Sequence, residues 1–319
     1  MESIVRKWTV LAALVLWLGM WSGAEAAPVT LACQPMGWFP TSFGFKDHTV
    51  FTYNGNYYLA SIYLSPETQF AYGRSTDLCN WQTLSPILTQ RVPGSWDEYA
   101  IWSPFVYQEG NKFYIYYTGV TNAFAQSIML ATSTDPTDPN SWQPQGMIFQ
   151  PNHPGMVWGG FNTWSDCRDS TVIKVNGIYY LYYTGLDQSG GIVGVATSTS
   201  PMGPWTDWGA MLNVSPGVMA ESPTIWSYGN SYYLFYNDTY QGERFRIGPG
   251  PTGSWSQSYK FNPGWAHEIW QGQDGYTYTS FLANYTVTIS RLTWDSLYAP
   301  PRPFIGADVY HLMLPLVKR

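Results

Sequence analysis

Short extended runs of apolar and polar residues, broken by glycine turns, fill this chain, and no repeating unit shows the periodicity of a helix. Five times a run reaches a turn glycine, at Gly55, Gly110, Gly177, Gly229 and Gly275, usually after Asn, Asp or Glu. It then resumes as an aromatic strand such as Tyr57-Tyr58-Leu59 or Tyr179-Tyr180-Leu181, a hairpin signature. A third strand ends in Gly73-Arg74-Ser75-Thr76-Asp77, Ala131-Thr132-Ser133-Thr134-Asp135 or Ala196-Thr197-Ser198-Thr199-Ser200. A tryptophan follows at Trp81, Trp142 and Trp205, and Trp255 closes the fourth unit similarly. Such units, each with about four short strands, predict an all-β protein, a five-bladed β-propeller with a central active-site funnel. A β-sandwich also has many short strands but predicts no recurring register. The stretch from Gln150 to Asp166, rich in Gly, Trp and Pro, is expected as a loop beside the cavity.

The first residues follow a different pattern. Arg6 and Lys7 precede an apolar run from Trp8 to Trp21 and then Ala24-Glu25-Ala26, the order of a secretory signal. Residues 1–26 are therefore expected to be a signal peptide, and residues 27–319 a single propeller domain with blades starting near 47, 102, 169, 221 and 267. Secretion to the outside or the periplasm follows, and no later stretch has the roughly 20 apolar residues of a membrane helix. Removing residues 1–26 takes away two acids and two bases, so the net charge stays at −6. That charge argues against nucleic acid as a partner, and a monomer with no membrane attachment is expected. Aromatic residues make up 18% against 11% charged, which suits blade packing and equally suits sugar stacking. Cys33, Cys79 and Cys167 allow at most one bridge, and no metal cluster is implied.

Eight residues before the turn glycines stand Asp47, Trp102, Asp169, Glu221 and His267. A constant offset implies a constant height on the strand, so these side chains are expected to ring the axis. Acids number 21 among 319 residues, and three among five such positions arise by chance with a probability on the order of 0.3%. Taken singly, each acid reads better as a strand-end carboxylate capping loop amides or pairing with a base than as a catalytic group. Three converging carboxyls cannot all ionise cheaply, so one is expected to keep its proton near neutral pH. A proton donor beside a carboxylate base or nucleophile is what cleavage of a glycosidic bond requires. Arg168 either pairs with Asp169 or holds substrate hydroxyls. Trp102, Trp158 and Trp164 are stacking candidates. Arg244 and Arg246 share one face of a strand after Glu221, and Arg246 is taken as a substrate-binding candidate.

These residues resemble the five-bladed propeller glycosidases, closest to glycoside hydrolase family 43 of arabinanase and β-xylosidase type, with features of the invertases and levansucrases. Asp47, Asp169 and Glu221 match the family's acids in blades one, three and four. Trp102-Ser103-Pro104 looks like the arabinanase Trp-Ala-Pro, Glu221-Ser222-Pro223 like its Glu-x-Pro, and His267 like its axial histidine. His48 after Asp47 departs from the usual Pro, and Arg168-Asp169-Ser170 looks more like the Arg-Asp-Pro of invertases.

The resemblance implies a secreted hydrolase of plant or microbial polysaccharides or oligosaccharides, arabinofuranosides or xylosides first. In the arabinanase pattern Glu221 protonates the leaving oxygen, Asp47 deprotonates water, Asp169 tunes Glu221, and configuration inverts. In the invertase pattern Asp47 is the nucleophile, the substrate is a fructan, and configuration is retained. A carbohydrate-binding propeller without turnover is the remaining alternative. No cofactor is required under this reading. The resemblance also implies a calcium ion in the channel held through water near His267, although that ion prefers oxygen ligands.

Overall fold

The computed structural model describes residues 45–63, 66–261, 264–283 and 285–311, with side chains to residue 305. All lie in one compact unit. The expected signal peptide, residues 1–26, and Cys33 fall outside the described residues.

Among the described residues twenty strands form five four-stranded antiparallel sheets, each built from one continuous segment in sequence order. Blade I holds β1 (Phe45–Tyr53), β2 (Asn56–Tyr63), β3 (Phe70–Ser75) and β4 (Trp81–Ile87). Blade II holds β5 (Ala100–Glu109), β6 (Lys112–Val120), β7 (Gln126–Ser133) and β8 (Gln143–Phe149). Blade III holds β9 (Cys167–Val175), β10 (Ile178–Asp187), β11 (Gly190–Ser198) and β12 (Thr206–Asn213). Blade IV holds β13 (Ala220–Tyr228), β14 (Ser231–Asp238), β15 (Gly242–Gly248) and β16 (Tyr259–Lys260). Blade V holds β17 (Trp265–Gln271), β18 (Thr277–Ala283), β19 (Thr286–Asp295) and β20 (Arg302–His311). The first strands touch in cyclic order, β1 to β5, β9, β13, β17 and back to β1. This is the expected five-bladed propeller, and its last blade is completed by the segment after Pro300.

Five apolar cores fill the five gaps between neighbouring blades. Leu59 and Trp81 meet Trp270 and Tyr278 across the gap from blade V to blade I. Equivalent clusters join I to II, II to III, III to IV and IV to V. A recurring polar bond ties the blades as well. Buried tyrosine hydroxyls donate to a proline carbonyl of the next blade, Tyr72 to Pro136 (2.8 Å), Tyr116 to Pro201 (2.5 Å), Tyr182 to Pro251 (2.9 Å) and Tyr233 to Pro301 (2.7 Å). Each satisfies a polar group that burial would otherwise leave costly.

Each first strand carries a β-bulge near its start. Ser103, Asp169, Ser222 and Ala266 open four of these bulges with φ of 46°, 56°, 51° and 54°. A bulge bends the strand and re-aims its side chains, and a left-handed non-glycine residue marks backbone strain of the kind found at functional sites. The bulges turn these side chains toward the axis.

Candidate active site

The ring is not the one that counting from glycine predicts. The hairpin turn occupies residues 54–55, 110–111, 176–177 and 229–230 in blades I to IV, so its glycine comes second in blades I and III and first in II and IV. In blade V the loop runs from 272 to 276. Measured from the first turn residue, Asp47, Ser103, Asp169 and Ser222 share one height, each seven residues upstream. Trp102 and Glu221 lie one residue nearer the strand start. His267 is the second residue of the blade V bulge, following Ala266. Asp47 and Asp169 therefore face each other at one level, and Glu221 stands above them with its side chain 32% exposed against 8% for Asp169.

Ser103 joins the lower pair. Its Oγ lies 2.6 Å from Oδ2 of Asp47 and 2.6 Å from Oδ1 of Asp169. The other oxygen of Asp169 accepts from the backbone N–H of Ser222 at 3.1 Å and from Thr184 Oγ1 at 3.4 Å. Burial, reinforced by the Asp169 and Glu221 charges, pushes the Asp47 carboxyl up to about 7, while the Ser103 bond and Lys46 pull it back. The carboxyl that keeps its proton toward neutral pH is thus Asp47, the residue to which the arabinanase pattern gives the base role.

Arg168 joins the lower level to the upper one. Its guanidinium pairs with Glu221 at 2.7 Å, with Asp169 at 3.7 Å and closely with Asp166, and it donates to Gln126 Oε1 at 3.1 Å. Three carboxylates around it hold it charged. Asp166 was not singled out in the sequence, although its spacing of two from Arg168 on an extended strand places both on one side. Glu67 has no such signal. It comes from the loop between β2 and β3, pairs with Lys46 at 2.6 Å and accepts the Trp102 indole N–H.

The remaining candidates divide. Trp164 is 60% exposed, stacks on Phe124 and donates to Asp166 at 3.2 Å. Trp158 is half-buried instead, donating to the Gln126 carbonyl and packing on Trp96. Arg246 does not reach the funnel. It lies on the third strand of blade IV, where Tyr236 Oη and the Ser256 carbonyl accept its N–H groups. Arg244 on the same strand donates to Gln241.

His267 is buried below the ring, with Nδ1 3.3 Å from Glu243 Oε2. His48 beside it is held down to about 3 by burial and by His267, so it is neutral. Among the described residues no three His, Cys, Asp or Glu side chains are placed to hold an ion together. An imidazole facing a carboxylate does not fit a directly ligated calcium, which takes oxygen ligands. Cys79 is disulfide-bonded, and Cys167 is a buried free thiol.

Residues 40–161 match the profile of glycosyl hydrolases family 43. Over that stretch the chain is similar to the family-43 glycoside hydrolases. No curated protein matches it by sequence. Solved structures share the fold. An endo-1,4-beta-xylanase from Bacteroides thetaiotaomicron is 22% identical with a TM-score of 0.63, covering 85% of this chain and 97% of its own. An exo-1,5-alpha-L-arabinanase from a bovine ruminal metagenomic library is 16% identical with a TM-score of 0.61, covering 85% and 100%. A GH43_1 enzyme from Xanthomonas citri complexed with xylotriose is 18% identical with a TM-score of 0.60, covering 83% and 90%. The matched stretch includes Asp47 and Ser103, while Asp169 and Glu221 lie beyond it.

Proposed function

We propose that this family-43-type glycosidase hydrolyses arabinofuranosyl or xylosyl bonds of plant polysaccharides, with Asp47 activating water, Glu221 protonating the leaving oxygen and Asp169 supporting both. The observation that carries this reading is the convergence of three carboxyls from blades I, III and IV on one axis, linked through Ser103 and Arg168. A neutral Asp47 at rest must give up its proton before it can accept one from water. The substrate class is supported by the arabinan- and xylan-directed names among structures with this fold. Export of the chain belongs to the proposal and is supported by the order of residues 1–26 and by the disulfide at Cys79, a bond favoured in oxidising compartments.

One observation favours a second reading, a sugar-binding propeller without turnover. Arg168 holds Glu221 in an ion pair that substrate must loosen before Glu221 can meet a leaving oxygen. A panel of aryl glycosides tests both, using the parent and the Asp47→Asn, Asp169→Asn and Glu221→Gln variants. Loss of turnover in all three with intact circular dichroism is expected, and NMR of the first-formed anomer reads inversion. Unchanged turnover in the variants rejects the catalytic assignment, and a parent that binds oligosaccharide without product supports the second reading.

A further inference from the structure

Ser103 stands between two carboxyl groups with one hydroxyl proton to give. Both contacts are 2.6 Å long, and a serine hydroxyl donates a single hydrogen bond. Two oxygens so close need a proton between them, so one of the contacts must be donated by a carboxyl. We propose that Ser103 is a positioning residue that joins Asp47 and Asp169 into a unit holding one proton, which passes between the two carboxyls through the serine hydroxyl. This rests on the reading of Asp47 as the group that activates water.

The transfer balances without any other reactant. At rest the Asp47 carboxyl donates to Oγ, and the Oγ proton is donated to Asp169. As the Asp47 O–H and Ser103 O–H bonds break, new ones form at Ser103 Oγ and at Asp169, and the negative charge moves from Asp169 to Asp47. Asp47 is then the carboxylate that a base requires. The surroundings favour the resting form. Asp169 has Thr184, the Ser222 N–H and Arg168 around its second oxygen, whereas Asp47 is pushed up to about 7 by burial first and by Asp169 next. The charged groups that face Asp47 are Asp169 on β9, Glu221 on β13 and Glu268 on β17, with Lys46 beside it on β1. Lys46 is itself paired with Glu67.

Ser103→Ala and Ser103→Gly both remove the hydroxyl, and glycine also relaxes the positive φ. In protein labelled at aspartate carboxyl carbon, the parent is expected to show one carboxyl titrating near pH 7, absent in Asp47→Asn. Both Ser103 variants should shift that titration by about one unit, because Oγ no longer bridges Asp47 to Asp169. At and below that pH kcat/KM of both variants should fall roughly tenfold, because no hydroxyl carries the Asp47 proton to Asp169, and it should recover at alkaline pH, where Asp47 has lost the proton to solvent. An Asp47 titration unchanged in the Ser103 variants, or a loss of activity equal at every pH, overturns the proposal. A parent that titrates as described but turns over no glycoside refutes the catalytic reading and leaves the shared proton standing.

Discussion

Nη2 of Arg168 lies 2.7 Å from Oε1 of Glu221. The same guanidinium reaches Asp169 and Asp166, so a single cation from blade III sets the position of the half-buried Glu221 relative to the buried Asp169. Lysine supplies the charge but not the fork. Arg168→Lys is therefore expected to lower kcat/KM by roughly 100-fold, the scale of losing a preorganised charged donor, while the thermal midpoint falls only modestly. Turnover equal to that of the parent would show that the fork plays no part in placing Glu221.

Asp47 gives the fold a pH dependence whose sign follows from its environment. Its carboxyl is raised to about 7 in the folded protein from 3.8, so between these values the folded state holds more proton than the unfolded chain. The contribution of this group to stability is complete below about pH 4 and is lost as pH rises through about 7. Asp47→Asn should therefore gain thermal stability relative to the parent as pH is raised from 5 to about 8. Melting curves of the two proteins that stay parallel across this range would contradict the assignment.

The propeller was legible because its signals are local. Glycine turns, paired tyrosines and the tryptophan after each third strand lie within single blades. The ring of side chains around the axis was half legible. The three acids and Arg168 were singled out, but their heights were misread because glycine occupies either turn position and because the β-bulges leave no sequence signature. Ser103 stands in the sequence as one residue of Trp102-Ser103-Pro104, with nothing local to mark its hydroxyl. Glu67 reaches Trp102 from 35 residues away through the fold alone. The tyrosine-to-proline bonds span 64 to 85 residues, beyond the reach of any local pattern.

Those cross-blade bonds should be measurable one at a time. Tyr182 is fully buried and donates to the Pro251 carbonyl at 2.9 Å, so Tyr182→Phe leaves a buried acceptor without its partner and should cost about 1–2 kcal/mol. Tyr240, 89% exposed, serves as the control, with Tyr240→Phe expected within about 0.5 kcal/mol of the parent. Chemical denaturation compares the pair, and equal midpoints would mean that the apolar cores alone hold blade III to blade IV.

Trp164 presents an exposed ring that is linked by hydrogen bond to the acidic cluster. Its ring stacks on Phe124 at 5.5 Å between centroids, Tyr99 meets Phe124 edge-on at 5.1 Å, and the indole N–H is tied to Asp166. Asp166 pairs with Arg168, which pairs with Glu221, so the exposed ring is coupled mechanically to that acid. A sugar beyond the bond being cleaved would find a flat apolar face there. Trp164→Ala should raise KM on xylan or arabinan more than on an aryl glycoside, and Trp164→Phe should restore much of the difference because it keeps a ring for stacking. Equal changes on both substrates would place the role of Trp164 in holding Asp166 and not in gripping the chain.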